Sequence, residues 1–385
     1  VLFLTKELSM SFFRVCTIGA DCSGLLLDGE GAFMATALKA AVIGTGVISK
    51  EHLSFLNTSE RSQLVAVCDL SKVSAQYAAQ RYQAQATFAD YRQMLNEVKP
   101  DVVHILTPPH THKWIAKDCL EAGAHVICEK PITPTYEEFK ELWAIAQSCD
   151  RYLIEDHNYR YNEPILAIEK LVADGTLGDV QEVEVRMALN IRSGGAFADE
   201  NIPNPVHKLP AGVIHDVITH LVYLTLRFLP VEFDRISAAW SNHGGGTLFK
   251  YDDLDAVLVG GAKHARIRFS AHTLPECFDV IVRGSRGYAQ TDLFQPYLRC
   301  VVPRKAGKQL SPLVNHYING SDLVKASIGN FSRKIMQRTP YEGLQRLLDI
   351  TYAALQSGNP PPITFEDMDR TSRLVEALLA EDNRV

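Results

Sequence analysis

The 385-residue chain contains no apolar run of membrane-spanning length, so a bilayer is not its expected setting. It lacks a CxxC pair, which argues against a zinc knuckle, although eight cysteines are present. These are Cys16, Cys22, Cys68, Cys119, Cys128, Cys149, Cys277 and Cys300, scattered along the chain. Cys68 and Cys128 fall in apolar runs that read as buried strands, so free thiols in a reducing, cytoplasmic compartment are the expectation. Neither HExxH nor GxSxG occurs, which removes the helical zinc-protease site and the serine nucleophile elbow. Concentrated positive charge is scarce: the formal net charge is −6, and the densest basic patch, Arg304, Lys305 and Lys308, reads as a solvated loop. A nucleic-acid partner is therefore not expected. No fixed-period repeat argues for a solenoid or propeller.

What remains is an ordinary globular balance, 46% hydrophobic and 22% charged, in a chain long enough for two domains. From Lys39 to Glu155, short apolar runs alternate with helical stretches. Strands are expected at Ala40 to Ile43, Gln63 to Cys68, Asp101 to Leu106, His125 to Cys128 and Tyr152 to Glu155. Helices are expected at Ser71 to Tyr82, Asp90 to Glu97, His112 to Ala122 and Thr135 to Gln147. This rhythm implies a mostly parallel sheet covered on both faces. A helix from Tyr161 to Ala173 leads out of the unit, and the pattern then changes. Val180 to Ala188 alternates like a strand with one wet face. Asn190 to Pro210 reads as a loop over a site, and Gly212 to Arg227 as a helix. Five more strands follow, at Phe233 to Ala239, Asp255 to Gly260, Ala265 to Ser270, Phe278 to Arg283 and Leu298 to Val302. Helices return from Pro340 to Gln356 and from Thr364 to Ala380.

The fold class is thus α/β: an N-terminal Rossmann domain over 38–157 and a C-terminal α+β domain over 158–385, built on an open, largely antiparallel sheet. The last helices of the second domain are free to pack back on the first. Residues 1–37 read as an extension outside the Rossmann core. Met34 stands just before the first strand, and a translation start near it competes with a secretory signal as the explanation.

Chemistry is expected where strands end. Gly44, Thr45 and Gly46 follow the first strand, and Val47, Ile48 and Ser49 open a helix. Gly44 permits a tight turn and Gly46 lets backbone approach a pyrophosphate at the helix N-terminus. Asp69 ends the second strand, where an acid meets the ribose hydroxyls of NAD and disfavours the 2′-phosphate of NADP. Its other reading is a turn aspartate before the Ser71 helix. Thr107 and Pro108 line the crevice after the next strand; His110 and His112 read either as local caps or as cofactor contacts. Glu129, Lys130 and Pro131 close a further strand, with the lysine aimed toward the nicotinamide region and a proline free to be cis. Asp216 and His220 lie four apart, on one face of an apolar helix. They are either a satisfied polar pair in the core or a catalytic pair at the domain interface. His207, His215, His220 and Asp216 offer metal ligands, but in no compact zinc spacing, so no metal is expected.

In this order the motifs resemble the glucose-fructose oxidoreductase, inositol dehydrogenase and rhizopine catabolism family, over roughly Lys39 to Leu379 and including Gly175 and Gly178. The resemblance implies an NAD- or NADP-dependent dehydrogenase acting on the secondary alcohol of a sugar or cyclic polyol. It implies catalytic roles for Lys130, Asp216 and His220, and cofactor contacts from Gly44, Thr45, Gly46, Val47, Ile48, Asp69, Thr107, Pro108, His112, Glu129, Lys130 and Asn158. Asn158, Arg160 and Tyr161 fall at the crossing between domains. A homodimer or homotetramer formed through the open sheet face is implied as well. The chain departs from the family in carrying Ile218 where a glycine usually stands between the acid and the histidine. The alternative on the same fold is a dinucleotide-bound sugar-sensing or regulatory protein without turnover. Arg192, Asn201 and His207 are candidates for binding substrate hydroxyls.

Overall fold

A computed structural model describes residues 36–194, 197–199, 204–244, 248–336 and 341–381. The expectation for residues 1–35 and the proposed contact from Asn201 lie outside the described residues.

The first half alternates strand and helix: β1 (Leu38–Ile43), α1 (Ser49–Thr58), β2 (Ser62–Cys68), α2 (Lys72–Tyr82), β3 (Ala86–Phe88), α3 (Tyr91–Val98), β4 (Val102–Ile105), α4 (Pro109–Glu121), β5 (His125–Cys128), α5 (Tyr136–Ser148) and β6 (Leu153–Glu155). All six strands are parallel, in the order β3-β2-β1-β4-β5-β6. Ala40, Ala41, Val42, Val102, Val103, Val126 and Ile127 are buried, as expected of strands covered on both faces. Ser71, Asp90 and Thr135 cap α2, α3 and α5 through their side chains. Helix α4 starts earlier than the sequence suggested, at Pro109 rather than His112. Pro108 is extended and Pro109 occupies the first helical turn, where a missing N–H costs nothing.

A 3-10 turn (Asn158–Tyr161) leads to α6 (Glu163–Ala173), so the helix begins after Tyr161, with Pro164 in its first turn. Then come β7 (Val180–Ala188), α7 (Val213–Phe228), β8 (Arg235–Ser241), β9 (Asp253–Gly260), β10 (Lys263–Ser270), β11 (Cys277–Gly284), β12 (Tyr288–Asp292) and β13 (Arg299–Val301). They form a seven-stranded sheet, ordered β13-β12-β11-β7-β10-β9-β8, in which only the β7–β10 pair is parallel. Helix α7 buries Ile214, Ile218, Leu221 and Val222 in a core shared with Val183, Val185, Ile267 and Phe269 of this sheet. The opposite face is open and bears Glu184, Arg186, Asp255, Val257, Arg266 and Arg268.

Strands β3 and β12 were not anticipated, and neither was α8 (Gly307–Ile335), a 29-residue helix. Lys308, read from sequence as part of a loop, lies in its first turn. The chain ends in α9 (Glu342–Gln356) and α10 (Phe365–Ala380). Leu344, Leu347, Leu348 and Tyr352 of α9 and Met368 of α10 belong to the same core as β1, β2, β4 and β5.

Candidate active site

The glycine turn sits where β1 meets α1. Gly44 has φ +98°, and a Cβ there would stand 2.7 Å from the Leu106 carbonyl oxygen, so only glycine fits. A Cβ on Gly46 would meet nothing within 4 Å. That opening, beside an α1 N-terminus without a side-chain cap, fits a pyrophosphate cradle. Val47 is 85% exposed at its rim, next to Ile48. Ser49 donates from Oγ to the Gly46 carbonyl at 2.7 Å, tightening the turn.

Asp69 holds this turn closed. Its Oδ2 accepts from both the backbone N–H and the hydroxyl of Thr45, at 2.8 and 2.7 Å. Its Oδ1 accepts from the Ser71 N–H at 2.8 Å, so the turn role and the position beside the cradle coexist. Arg92 is committed to Asp118 at 2.8 Å and lies over the Tyr91 ring.

Two crevice loops are joined by His112. Its ring nitrogens face the carbonyls of Thr107 (2.6 Å) and Pro131 (2.9 Å), on the loops after β4 and β5, and the single N–H of the neutral ring donates to one of them. Both nitrogens face backbone, so the imidazole acts as a brace between the loops. His110 is exposed on α4. Thr107 shares a hydroxyl contact with Thr111 at 2.7 Å. The Lys130–Pro131 peptide is cis.

Lys130 and Asp216 meet. The ammonium donates to the Asp216 carboxylate at 3.0 Å and to its backbone carbonyl at 2.9 Å. Burial works against this charge, but Asp216, then Glu129 and Asp156, outweigh it and hold the Lys130 pKa above that of ordinary lysine. Lys130 is thus a cation, suited to stabilising negative charge on a nearby oxygen.

His220 is not bonded to Asp216. Its Nδ1 lies 2.9 Å from the Tyr223 hydroxyl, which donates to Asn158 Oδ1 at 3.0 Å. The Tyr159 N–H also reaches that hydroxyl. With the tyrosine proton directed to Asn158, His220 Nδ1 is the donor and Nε2 keeps its lone pair. Burial, then Lys130 and His157, push the His220 pKa well below 6.5. The ring is therefore neutral near pH 7, in the tautomer a proton acceptor needs. Tyr223 was not singled out from sequence; the signal was its position one turn beyond His220.

A second set of residues missed from sequence lies beneath Glu129. His52 Nε2 faces Glu129 Oε1 at 3.4 Å; His52 Nδ1 faces His104 Nδ1 at 2.9 Å; His104 Nε2 faces the Tyr352 hydroxyl at 2.9 Å. A carboxylate accepts only, so the donors run one way, from Tyr352 through His104 and His52 to Glu129. All three side chains are fully buried. Burial opposes charge on Glu129, but His52 and then Lys130 keep its pKa below the usual value. Burial, then Glu129, raises that of Asp156 well above it. Glu129 is the ionised member of the two.

Other expected residues go elsewhere. Arg160 is buried against Asp367 of α10 at 2.9 Å. Tyr161 reaches the Pro362 carbonyl at 3.5 Å. Arg192 binds Asp252 at 2.8 Å, together with the carbonyls of His243 and Gly244. His207 bonds the Phe197 carbonyl. His215 lies on another face of α7, lining a cavity of about 310 Å³ with Thr219, Glu155 and Thr371. Among the described residues, two groups stand close enough to share a cation, His243–Asp252–His272 and His52–Glu129–Asp156. Neither includes His207, His215 or His220.

Residues 38–157 match the model of the oxidoreductase family with an NAD-binding Rossmann fold. An uncharacterized oxidoreductase of Schizosaccharomyces pombe is 34% identical over 191 residues, 48% of this chain and 50% of the yeast protein. D-glucoside 3-dehydrogenase of Escherichia coli is 34% identical over 158 residues, 41% of this chain and 45% of the bacterial one. The alignments thus span about half the length of these curated relatives. The solved WlbA dehydrogenase of Bordetella pertussis, in complex with NADH and UDP-GlcNAcA, superposes with a TM-score of 0.74 at 18% identity. It covers 92% of this chain and 97% of its own.

Proposed function

We propose that this chain, which belongs to the glucose-fructose oxidoreductase, inositol dehydrogenase and rhizopine catabolism family, is an NAD-dependent dehydrogenase of a secondary alcohol on a sugar or cyclic polyol. The observation that carries the reading is a charged Lys130 at the carboxyl end of β5, held by Asp216 of α7, together with a neutral His220 of fixed tautomer on the same helix as Asp216. The cradle residues Gly44, Thr45, Gly46, Val47 and Ile48, with Asp69, Thr107 and Pro108, would hold the dinucleotide, which when bound accepts the hydride from the carbinol carbon. His220 Nε2 takes the hydroxyl proton, and the Lys130 ammonium stabilises the negative charge growing on the oxygen. Asp216 fixes the ammonium, and Tyr223 with Asn158 fixes the imidazole. Lys130 is the poorer base of the two because Asp216 holds its proton. D-glucoside 3-dehydrogenase, a relative by sequence, supports the substrate class.

Asp69 favours NAD, since a 2′-phosphate would bring like charge against its carboxylate. Its replacement by Ser should weaken NAD binding roughly tenfold or more and narrow the NAD/NADP ratio of dissociation constants. Tighter binding of NADP by the unmodified protein would overturn the preference. We infer a reducing, cytoplasmic setting from the buried free thiols Cys68, Cys119 and Cys128. We also infer a homodimer through the open sheet face, where Arg266 and Asp255 pair across strands beside Val257, 46% exposed. The deciding experiment is a screen of sugars, polyols and their ketones followed by the absorbance of reduced nicotinamide. Turnover confined to acyclic or aromatic compounds defeats the substrate class. Tight NAD binding without turnover on any compound favours the sensing protein.

A further inference from the structure

Helix α8 is built inside out. The side facing the body is polar. Asn315 donates to the Val302 carbonyl at 2.8 Å and accepts from Arg304 at 2.7 Å. Asn319 both accepts from the Cys300 N–H (3.0 Å) and donates to its carbonyl (2.9 Å), closing the outer edge of β13. Asn330 donates to the Pro296 carbonyl at 2.9 Å, and Arg333 pairs with Glu163 at 2.9 Å. A row of asparagines thus attaches α8 to the sheet.

The apolar side faces away. Leu310 is 54% exposed, Leu313 64%, Tyr317 80%, Val324 60%, Ile328 66%, Phe331 68% and Ile335 65%. With Leu323 and Met336 they present on the order of 1,000 Å² of apolar surface, beyond the largest patch of a typical monomer. That exceeds the roughly 800 Å² that each partner contributes to a standard stable interface. Nothing among the described residues covers it.

The pattern specifies the occupant. Leu310, Tyr317, Val324 and Phe331 recur every seven residues, the spacing that keeps a seam facing a second helix. The neighbouring row is Leu313, Gly320, Ser327 and Lys334, mostly small or polar. In an antiparallel pair of α8 helices centred on Asp322, Tyr317 of one copy meets Ser327 of the other. Val324 meets Gly320, Phe331 meets Leu313, and Leu310 lies under the stem of Lys334. At the centre Tyr317 and Val324 face the small Ser327 and Gly320, and towards the ends Phe331 meets Leu313 and Leu310 meets the Lys334 stem, so the seam is complementary to itself, as a twofold interface requires. A lipid surface would call for an unbroken apolar face, which Gly320, Ser327 and Lys334 interrupt.

We propose that α8 is a self-association helix, which joins two copies of this chain through an antiparallel helix pair. This contact is distinct from the open sheet face and independent of the hydride-transfer reading. The test is the mass of the full chain with NAD, by light scattering on a sizing column at micromolar concentration. Val324→Glu and Phe331→Asp should each halve the mass while leaving the thermal midpoint and NAD affinity unchanged. Gly320→Phe should do the same, because a Cβ there meets nothing within 4 Å of its own chain and the change removes a helix-weakening glycine. A Tyr317→Cys, Ser327→Cys double variant should give an oxidant-dependent covalent dimer absent from the unmodified chain. Equal mass for the parent and all three single variants overturns the proposal. Co-sedimentation of the parent with phosphatidylcholine–phosphatidylglycerol vesicles, abolished by Val324→Glu with no change in mass, also overturns it, in favour of a membrane surface.

Discussion

Tyr223 carries no reacting group, yet it decides which nitrogen of His220 can take a proton. Replacing it by Phe removes the acceptor for the Nδ1 proton and leaves Asn158 to the Tyr159 N–H alone. We expect Tyr223→Phe to lower kcat about tenfold with little change in NAD affinity, and His220→Gln or Lys130→Met to lower it by roughly 100-fold or more. Steady-state rates and cofactor titrations on the same preparations check this; full activity in either of the last two defeats the assignment. Because the His220 pKa lies well below 6.5, the oxidation rate should show no descending acid limb between pH 8 and 7. At this scale the sequence was informative about identity and silent about partnership. Lys130 stood at the end of a recognisable strand, and Asp216 and His220 on one face of a recognisable helix. That Asp216 holds the lysine rather than the histidine depends on contacts across 86 residues of sequence, which no local pattern carries. The Tyr352–His104–His52 chain was invisible for the same reason. A lone histidine in a strand and another in a helix give no spacing signal.

Helices and strands were legible where their apolar period pointed inward, and α8 shows why that condition matters. Its period is strong, but Pro312, Gly320 and Gly329 interrupt it, and its asparagines resemble loop residues. A helix whose buried side is polar satisfies none of the usual signals for a core-facing element. Strand β3 spans three residues and β12 five, too short for alternation to register. The element that shapes the candidate site, α7, was read almost to its ends. It carries a titration in addition to its place in the site. His215, which lines the cavity with Thr219 and Glu155, has its pKa lowered to about 4, chiefly by burial. The folded chain resists this proton and the unfolded chain does not. Stability should therefore be level above pH 7 and fall as pH drops from about 6.5 toward 4. The loss expected from this residue is on the order of 3 kcal/mol across that window. Urea unfolding at pH 7 and pH 5 measures it. His215→Leu should make the profile less steep, leaving the share of His220 and the other buried histidines with lowered pKa, and an unchanged slope would remove His215 as a contributor.

At the scale of the whole molecule, the dinucleotide-binding half is not finished by its own stretch of chain. Its core includes Leu344, Leu347, Leu348, Tyr352 and Met368. Arg160, just past the last strand, is buried against Asp367. Breaking that ion pair with Arg160→Ala should destabilise the protein by about 3 kcal/mol or more, read as a lower denaturation midpoint with unaltered turnover per folded molecule. A fragment holding residues 36–157 should fail to bind NAD by calorimetry under conditions in which the intact chain binds it. There is a consequence for birth as well as for stability. A ribosome delivers the glycine turn and all six parallel strands long before it delivers Tyr352. At about 5–20 residues per second the interval is roughly 10–40 s. During that time the hydroxyl that completes the buried histidine chain does not yet exist, and the surface reserved for α9 is bare. The last contacts of the first core to form are therefore supplied by the last part of the chain to be made, and the Rossmann half is complete only when synthesis is nearly over.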